Sequence, residues 1–152
     1  MIIQGSRLAI DYGDRRIGVA KSDNSRLIAS PLMTLDDAQS LEQISFRIKE
    51  IAQANFVTVI YVGLPLHLSG SQGSSSDKAR AFAGVLLQTM PEGISVRLLD
   101  ERLTTTSALQ DLRRTGQKSS KENIDQLAAV KILEFALEIE RTSGELAGHE
   151  VR

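Results

Sequence analysis

The chain has 152 residues, of which 41% are hydrophobic, and this length and composition suit one compact domain with its own core. Its 18 Lys and Arg residues nearly balance 19 Asp and Glu residues, so the net charge of −1 gives no whole-molecule signal for a nucleic-acid or membrane partner. The absence of cysteine excludes disulfides and thiol nucleophiles, and the two His residues leave carboxylates and hydroxyls as the main catalytic groups. Because neither a membrane span nor a signal peptide is evident, we expect a cytoplasmic protein with no membrane partner.

The N-terminal third of the chain predicts three strands and one helix. Residues 8–11 and 17–21 are β-branched runs joined by a polar turn, which indicates a hairpin. A third strand is expected within residues 27–35, at a sheet edge, because Pro31 lacks a backbone donor. Apolar residues then recur at spacings of three and four, which predicts a helix with one buried face that is entered at residue 36 or 37.

The middle of the chain predicts two more strands with a helix between them. Residues 56–64 form a nearly continuous apolar run, typical of a central strand that is covered on both faces. A Gly- and Ser-rich loop at 67–77 leads into a helix, and residues 94–99 predict the fifth strand.

Two helices are expected to close the fold, the second running from about residue 122 to residue 141. The order of elements predicts an α/β domain over residues 1–142, in which the later strands are parallel because helices connect them. Residues 143–152 are expected to form a disordered C-terminal tail.

Three acidic positions fall where this topology can bring them together. Asp11 follows an apolar strand and shares a face with Ala9. Asp100 and Glu101 lie at the carboxyl end of the fifth strand, where open α/β sheets place their sites. Asp125 lies in the first turn of the last helix. Asp11 as a turn cap and Asp125 as a favourable charge at a helix N-terminus are the structural alternatives.

Carboxylates that converge without Cys and with few His form a hard oxygen ligand set suited to Mg²⁺ or Mn²⁺. A pair of such ions can activate a water and stabilise the leaving oxygen of a phosphodiester displacement. This chemistry needs little else from the protein, which agrees with the short list of catalytic groups in the sequence.

Basic residues are concentrated in two segments, the hairpin and the linker before the last helix. Acidic residues, including Glu140, prevail near the C-terminus. We therefore expect a basic rim beside the acidic site that contacts phosphates, although a solvated linker also explains any single basic residue. The basic residues concerned are Arg15, Arg16, Lys21, Arg113, Arg114, Lys118 and Lys121.

Four motifs resemble those of the YqgF family in order and spacing. They are IDYGDRRIGVA (10–20), VGLPLHLSG (62–70), DERLTT (100–105) and IDQLAAVKILE (124–134). This family, which is RuvX-like, comprises RNase H-like proteins described as Holliday junction resolvases and as pre-16S rRNA nucleases. The resemblance spans about residues 7–140.

The resemblance implies an RNase H-like fold, with a five-stranded mixed sheet whose second strand is antiparallel and with helices on both faces. It carries the catalytic and metal-binding pattern onto Asp11, Glu101 and Asp125. Related resolvases place an acidic residue near the GLP motif, where this chain has only apolar residues and glycine, so the number of metal ions stays open. Supporting roles are implied for Asp100, Arg102, Gly63 and Pro65.

The function implied by the resemblance is that of a Mg²⁺- or Mn²⁺-dependent endonuclease that processes the 5′ end of pre-16S rRNA in ribosome biogenesis. Its partner would be structured RNA or branched DNA, bound by a monomer or a homodimer. The alternatives are a Holliday junction resolvase and a non-catalytic nucleic-acid-binding module. A nucleotide-binding protein is a further alternative, because DYGDRRIG also resembles the first phosphate loop of the actin and sugar-kinase superfamily.

Overall fold

The computed structural model describes residues 2–13, 16–36, 39–64, 74–100 and 121–151. These residues form a mixed sheet with helices on both faces. The strands are β1 (Ser6–Tyr12), β2 (Arg16–Ser22), β3 (Ala29–Asp36), β4 (Val57–Leu64), β5 (Ser95–Asp100) and β6 (His149–Glu150). The helices are α1 (Leu41–Ala54), α2 (Ser74–Thr89) and α3 (Lys121–Ser143). The penultimate predicted helix, which would end near residue 114, lies outside the described residues.

The sheet has the strand order β3-β2-β1-β4-β5-β6. The predicted hairpin is confirmed, since β1 and β2 pair antiparallel with Asp11 opposite Gly18. The central strand is confirmed as well, because β4 lies between β1 and β5 and is parallel to both. β3 is an edge strand, as Pro31 predicts, and its register with β2 shifts beside that proline.

The prediction of five strands is wrong by one, because the segment predicted to be a disordered tail supplies β6. His149 and Glu150 pair antiparallel with β5, and the backbone N–H of Val151 donates to the Val96 carbonyl over 2.9 Å. Gly148 permits this approach: it has a φ of 68°, and a Cβ there would lie 2.1 Å from the Leu98 carbonyl oxygen. A two-residue strand carries no hydrophobic period, so the sequence pattern does not reveal it.

The start of α1 also differs from the prediction. β3 continues to Asp36, and the helix begins only at Leu41, after the N-cap Ser40. The Ser40 hydroxyl accepts from the Gln43 N–H over 3.2 Å, and the Gln43 side-chain oxygen accepts from the Ser40 N–H over 3.0 Å. This capping box satisfies the backbone donors of Ser40 and Gln43, which have no partner within the helix when it begins at Leu41.

Two hydrophobic cores lie on opposite faces of the sheet. In β1, Leu8 and Ile10 belong to the core under α1 and α2, whereas Ala9 belongs to the core under α3. Successive strand residues point to opposite faces, so odd-numbered positions of β1 face α3. Small residues such as Ala9 and Ala20 on this face let α3 pack close to the strands. None of the described helices is long and apolar enough to cross a membrane.

Candidate active site

Asp11 is the carboxylate that the sheet presents toward α3. It is half-buried near the carboxyl end of β1 and, as predicted, shares a face with Ala9. Within the described residues, no cation is ion-paired or hydrogen-bonded to its carboxylate. A half-buried carboxylate is costly to desolvate, and binding a cation from solution can offset that cost.

The start of α3 lies directly on the strand next to Asp11. Gly18 is opposite Asp11, and a Cβ at Gly18 would lie 2.1 Å from the carbonyl oxygen of Asp125 and 3.0 Å from the N of Gln126. Residues opposite each other in an antiparallel pair have side chains on the same face, so Asp11 and the Asp125 backbone lie on one side of the sheet. Asp125 is the fifth residue of α3, beyond its predicted place in the first turn, and it is half-buried.

A second glycine lies near Asp11 on the other side. Ile10 is paired with Val62 in β4, so the next residues along these parallel strands are Asp11 and Gly63. Gly63 is buried and pairs with Leu99 of β5, a member of the α3 core. Glycines in both neighbouring strands therefore remove side-chain bulk around Asp11. The space beside Gly18 is occupied by the backbone of α3.

Asp100 occupies a different position from Asp11. It is the last residue of β5, pairs with Leu64 and is half-buried. Leu98 lies in the core under α1 and α2, and Leu99 lies in the core under α3. The alternation along the strand therefore assigns Asp100 to the face opposite Asp11. Asp100 therefore does not lie beside Asp11 on the α3 face, and its supporting role stays a prediction.

The donor set fits a hard divalent cation as far as the structure describes it. Asp11 lies on the face of the sheet that α3 covers, and the backbone of Asp125 lies on the same side. Carboxylate oxygen is the ligand that Mg²⁺ and Mn²⁺ prefer. No group of three His, Asp or Glu side chains that could hold a metal occurs among the described residues. Glu101, the third predicted ligand, follows β5 directly in the sequence and lies outside them.

Arg16 is the predicted phosphate contact that the structure places beside the acidic residues. It is the first residue of β2, half-buried, and lies two positions before Gly18, so it shares the α3 face. Lys121 begins α3, the helix that carries Asp125. Lys21 does not belong to this rim: it pairs with Leu8 near the opposite end of the hairpin, where its Nζ donates to the Asn55 side chain over 3.3 Å.

Several residues predicted from the sequence to belong to the site lie outside the described residues, and their roles stay predictions. They are Arg15, Pro65, Glu101, Arg102, Arg113, Arg114 and Lys118.

Glu140, one of the acidic residues near the C-terminus, is buried in the fold. It is 4% exposed and receives the fully buried Arg7, whose Nε lies 3.0 Å from Oε2 and whose Nη2 lies 3.0 Å from Oε1. The Tyr61 hydroxyl donates to Oε2 over 2.7 Å and accepts from the Ala147 N–H over 3.1 Å. Burial, and then the hydrogen bond to Glu140, raise the pKa of Tyr61 well above its usual value.

The sequence carries a signal for this pair. Glu140 follows Leu133 and Leu137 at intervals of four and three, so it lies on the buried stripe of α3. An acidic residue on such a stripe requires a buried cationic partner. Arg7 lies at an odd-numbered position of β1, on the face that α3 covers.

Comparison with known proteins agrees with the fold and with the family resemblance of the sequence motifs. The family model described as "RuvX: Holliday junction resolvase" matches residues 5–139. A relative from Clavibacter sepedonicus is 48% identical over 147 residues, which cover 95% of this chain and 89% of the relative. A relative from Streptomyces avermitilis is 42% identical over 150 residues, which cover 97% and 95%. Both are named "Putative pre-16S rRNA nuclease".

Among solved structures, the chain is similar to a RuvC of T. thermophilus in complex with a Holliday junction substrate. The TM-score is 0.62 at 16% identity, and the match covers 90% of this chain and 95% of RuvC. At this identity the similarity shows the fold, which confirms the RNase H-like architecture. The family match and the identity to the bacterial relatives extend over most of the chain. The chain therefore belongs to the RuvX family of Holliday junction resolvases, which are nucleases that hydrolyse phosphodiester bonds.

Proposed function

We propose that this protein is a metal-dependent endonuclease that cleaves structured RNA at the 5′ end of pre-16S rRNA. The main support is the convergence of Asp11 and the start of α3, which carries Asp125, on one face of the sheet. The names of the bacterial relatives support an rRNA precursor as the substrate. Such a substrate would place the protein in the cytoplasm, in ribosome biogenesis.

Asp11, Glu101 and Asp125 are the proposed ligands of Mg²⁺ or Mn²⁺. When bound, the metal would supply an activated water and charge stabilisation at the scissile phosphate. The carboxylates position this charge, and the glycines at 18 and 63 keep bulky side chains away from Asp11. Asp100 is proposed to support the site from the other face of the sheet, and Pro65 to shape the adjoining loop.

Basic residues are proposed to hold the nucleic-acid backbone around the acidic site. Arg16 has the direct structural support, because it lies on the α3 face close to Gly18. Arginine forms bidentate contacts with phosphate, so it positions a backbone without reading the sequence. The same role is proposed for Arg15, Arg102, Arg113, Arg114, Lys118 and Lys121.

A second candidate function is resolution of branched DNA. It is favoured by the description of the matching family and by the RuvC fold. A homodimer would suit the two-fold symmetry of a four-way junction, whereas a monomer suffices to cleave one RNA strand. A non-catalytic binding module is a weaker candidate, since all three acidic positions are present.

The experiment that tests the proposed function is cleavage of two substrates with Mg²⁺ or Mn²⁺. One substrate is an RNA with the 5′ leader of pre-16S rRNA, and the other is a four-way DNA junction. We expect RNA cleavage that Asp11→Asn reduces at least about 1,000-fold, roughly 4 kcal/mol of transition-state stabilisation, while RNA binding changes little.

The control is Glu50→Gln, which removes an exposed carboxylate of α1 and leaves cleavage unchanged. Preferential cleavage of the junction would support the resolvase instead. If Asp11→Asn cleaves both substrates as well as the parent protein does, the metal-site proposal is wrong.

A further inference from the structure

A row of three residues crosses the hairpin and the edge strand beneath the start of α3. Asp11 pairs with Gly18, and Gly18 pairs with Thr34 of β3. Directly opposed residues in antiparallel strands project from the same face, so all three positions face α3. The row thus runs from the proposed catalytic carboxylate to the edge of the sheet.

The middle of this row is a contact between backbones. A Cβ at Gly18 would lie 2.1 Å from the carbonyl oxygen of Asp125, 2.4 Å from its carbonyl carbon and 3.0 Å from the N of Gln126. Gly18 lies within β2 and has no positive φ, so the need for glycine arises from this contact and not from local conformation. Both partners are parts of regular elements, so neither can move aside as a flexible side chain would.

The outer end of the row is a side-chain anchor. The Gln126 Nε2 donates to the Thr34 hydroxyl over 2.9 Å, and both residues are half-buried. Gln126 follows Asp125 directly, so its hydrogen bond ties the same turn of α3 to β3. This turn of α3 is therefore held at two points, on the neighbouring strands β2 and β3. Both points lie in the row that contains Asp11.

We propose that Gly18, Thr34 and Gln126 are positioning residues that set the place of Asp125 relative to Asp11. This inference rests on the proposed function, because it assigns these residues to the geometry of the metal-binding carboxylates. Metal sites tolerate little displacement of their ligands, and removal of an outer partner typically weakens metal affinity or activity about 10–100-fold.

The first test is Gly18→Ala, with Gly84→Ala as its matched control. Gly84 lies within α2, and a Cβ there meets no atom within 4 Å. We expect Gly18→Ala to lower kcat for RNA cleavage about 100-fold and to raise the Kd for Mn²⁺ about 10–100-fold, with KM for RNA unchanged. The Kd is measured from the electron paramagnetic resonance signal of free Mn²⁺, without substrate. Gly84→Ala should change neither quantity.

The second test avoids the risk that Gly18→Ala does not fold. Thr34→Val and Gln126→Leu each remove one partner of the hydrogen bond, and each should raise the Kd for Mn²⁺ about 10-fold. Because both remove the same bond, the double variant should weaken Mn²⁺ binding by less than the two single effects combined. Thr89→Val is the control, since it removes a hydroxyl that donates to the Val85 carbonyl within α2.

The outcomes separate the two proposals. If Asp11→Asn and Asp125→Asn leave Mn²⁺ binding and cleavage intact, the proposed function itself fails. If those variants lose both properties while Gly18→Ala, Thr34→Val and Gln126→Leu behave like their controls, the site is correct and the positioning role is refuted. Additive effects of Thr34→Val and Gln126→Leu would also refute the shared anchor.

Discussion

The contact between β1 and α3 has two ends that differ in whether their charged side chain has a partner of opposite charge. At one end, the fully buried Arg7 forms a bidentate pair with Glu140, which is 4% exposed. At the other end, Asp11 is half-buried on the same face, and the described residues give it no cationic partner. The Arg7–Glu140 pair is complete within the fold and therefore structural. Asp11 is half-buried without such a partner among the described residues, and this contrast supports its proposed role as a metal ligand.

The largest effect on stability is expected when the Arg7–Glu140 pair is broken. Arg7→Met leaves the Glu140 carboxylate buried without its partner, so the free energy of unfolding should fall by about 3–5 kcal/mol in urea titrations. The exposed pair Arg47–Glu50 provides the control: Arg47→Met should cost less than about 1 kcal/mol.

The variant of Asp11 provides the contrast in the same urea titrations. Asp11→Asn should change the free energy of unfolding by no more than about 0.5 kcal/mol, even though it removes activity. Equal losses for Arg7→Met and Asp11→Asn would remove the distinction between the two ends.

A smaller effect is expected when the buried network loses one hydroxyl. Tyr61→Phe leaves the Ala147 N–H without its acceptor and Glu140 with one donor fewer, so about 1–3 kcal/mol should be lost at pH 7. The pKa of Tyr61 is raised above its usual 10.0, so the folded state favours the protonated phenol. That stability is present below pH 10 and is lost as the pH rises toward the raised pKa.

Urea titrations from pH 7 to pH 11 check this dependence. The advantage of the parent protein over Tyr61→Phe should be constant up to about pH 9 and should shrink above pH 10. An advantage that does not change over the whole range would contradict the role of the buried phenol.

The smallest effect concerns a carboxylate whose partners are backbone donors at the surface. Asp23 accepts from the N–H groups of Leu27 and Ile28 over 2.8 and 2.9 Å. These bonds, that of Ile28 foremost, lower the pKa of Asp23 below 3.8. Its contribution is therefore present above pH 3.8 and is lost as the pH falls through the lowered value.

Asp23→Asn keeps an acceptor oxygen but removes the charge. Because Asp23 is exposed and water screens it, the loss at pH 7 should be a few tenths of a kcal/mol, and it should vanish near pH 2. Thermal unfolding at both pH values measures this difference. A difference that persists at pH 2 would mean that the charge is not its source.

The parts of the fold that follow from local patterns were predictable. The strand periods around Asp11 and within residues 56–64 predicted the hairpin and the central strand, and both are confirmed. The patterns failed where a particular contact, and not a hydrophobic period, decides the structure. β6 forms because Gly148 lets two polar residues reach β5, and α1 begins late because Ser40 and Gln43 cap each other.

The candidate site likewise has residues that the sequence indicates and residues that only the tertiary structure reveals. Asp11 and Asp125 could be proposed from the sequence because each is a carboxylate next to apolar residues of its element, although their role as ligands stays a prediction. Gly18 gave no such signal, since a glycine in a hairpin strand has many explanations. Its importance follows only from the backbone of Asp125 lying against it.

The sequence by itself determined an α/β fold, and its motifs identified a RuvX-like nuclease. Tertiary structure alone decided which charges are neutralised: Arg7 and Glu140 are 133 residues apart and meet in the core. It also decided that Gly18 and Thr34 lie under the turn that carries Asp125. The physical reason is that periodicity specifies which face of an element is buried, whereas charge pairing and close approach depend on which residue of another element lies opposite.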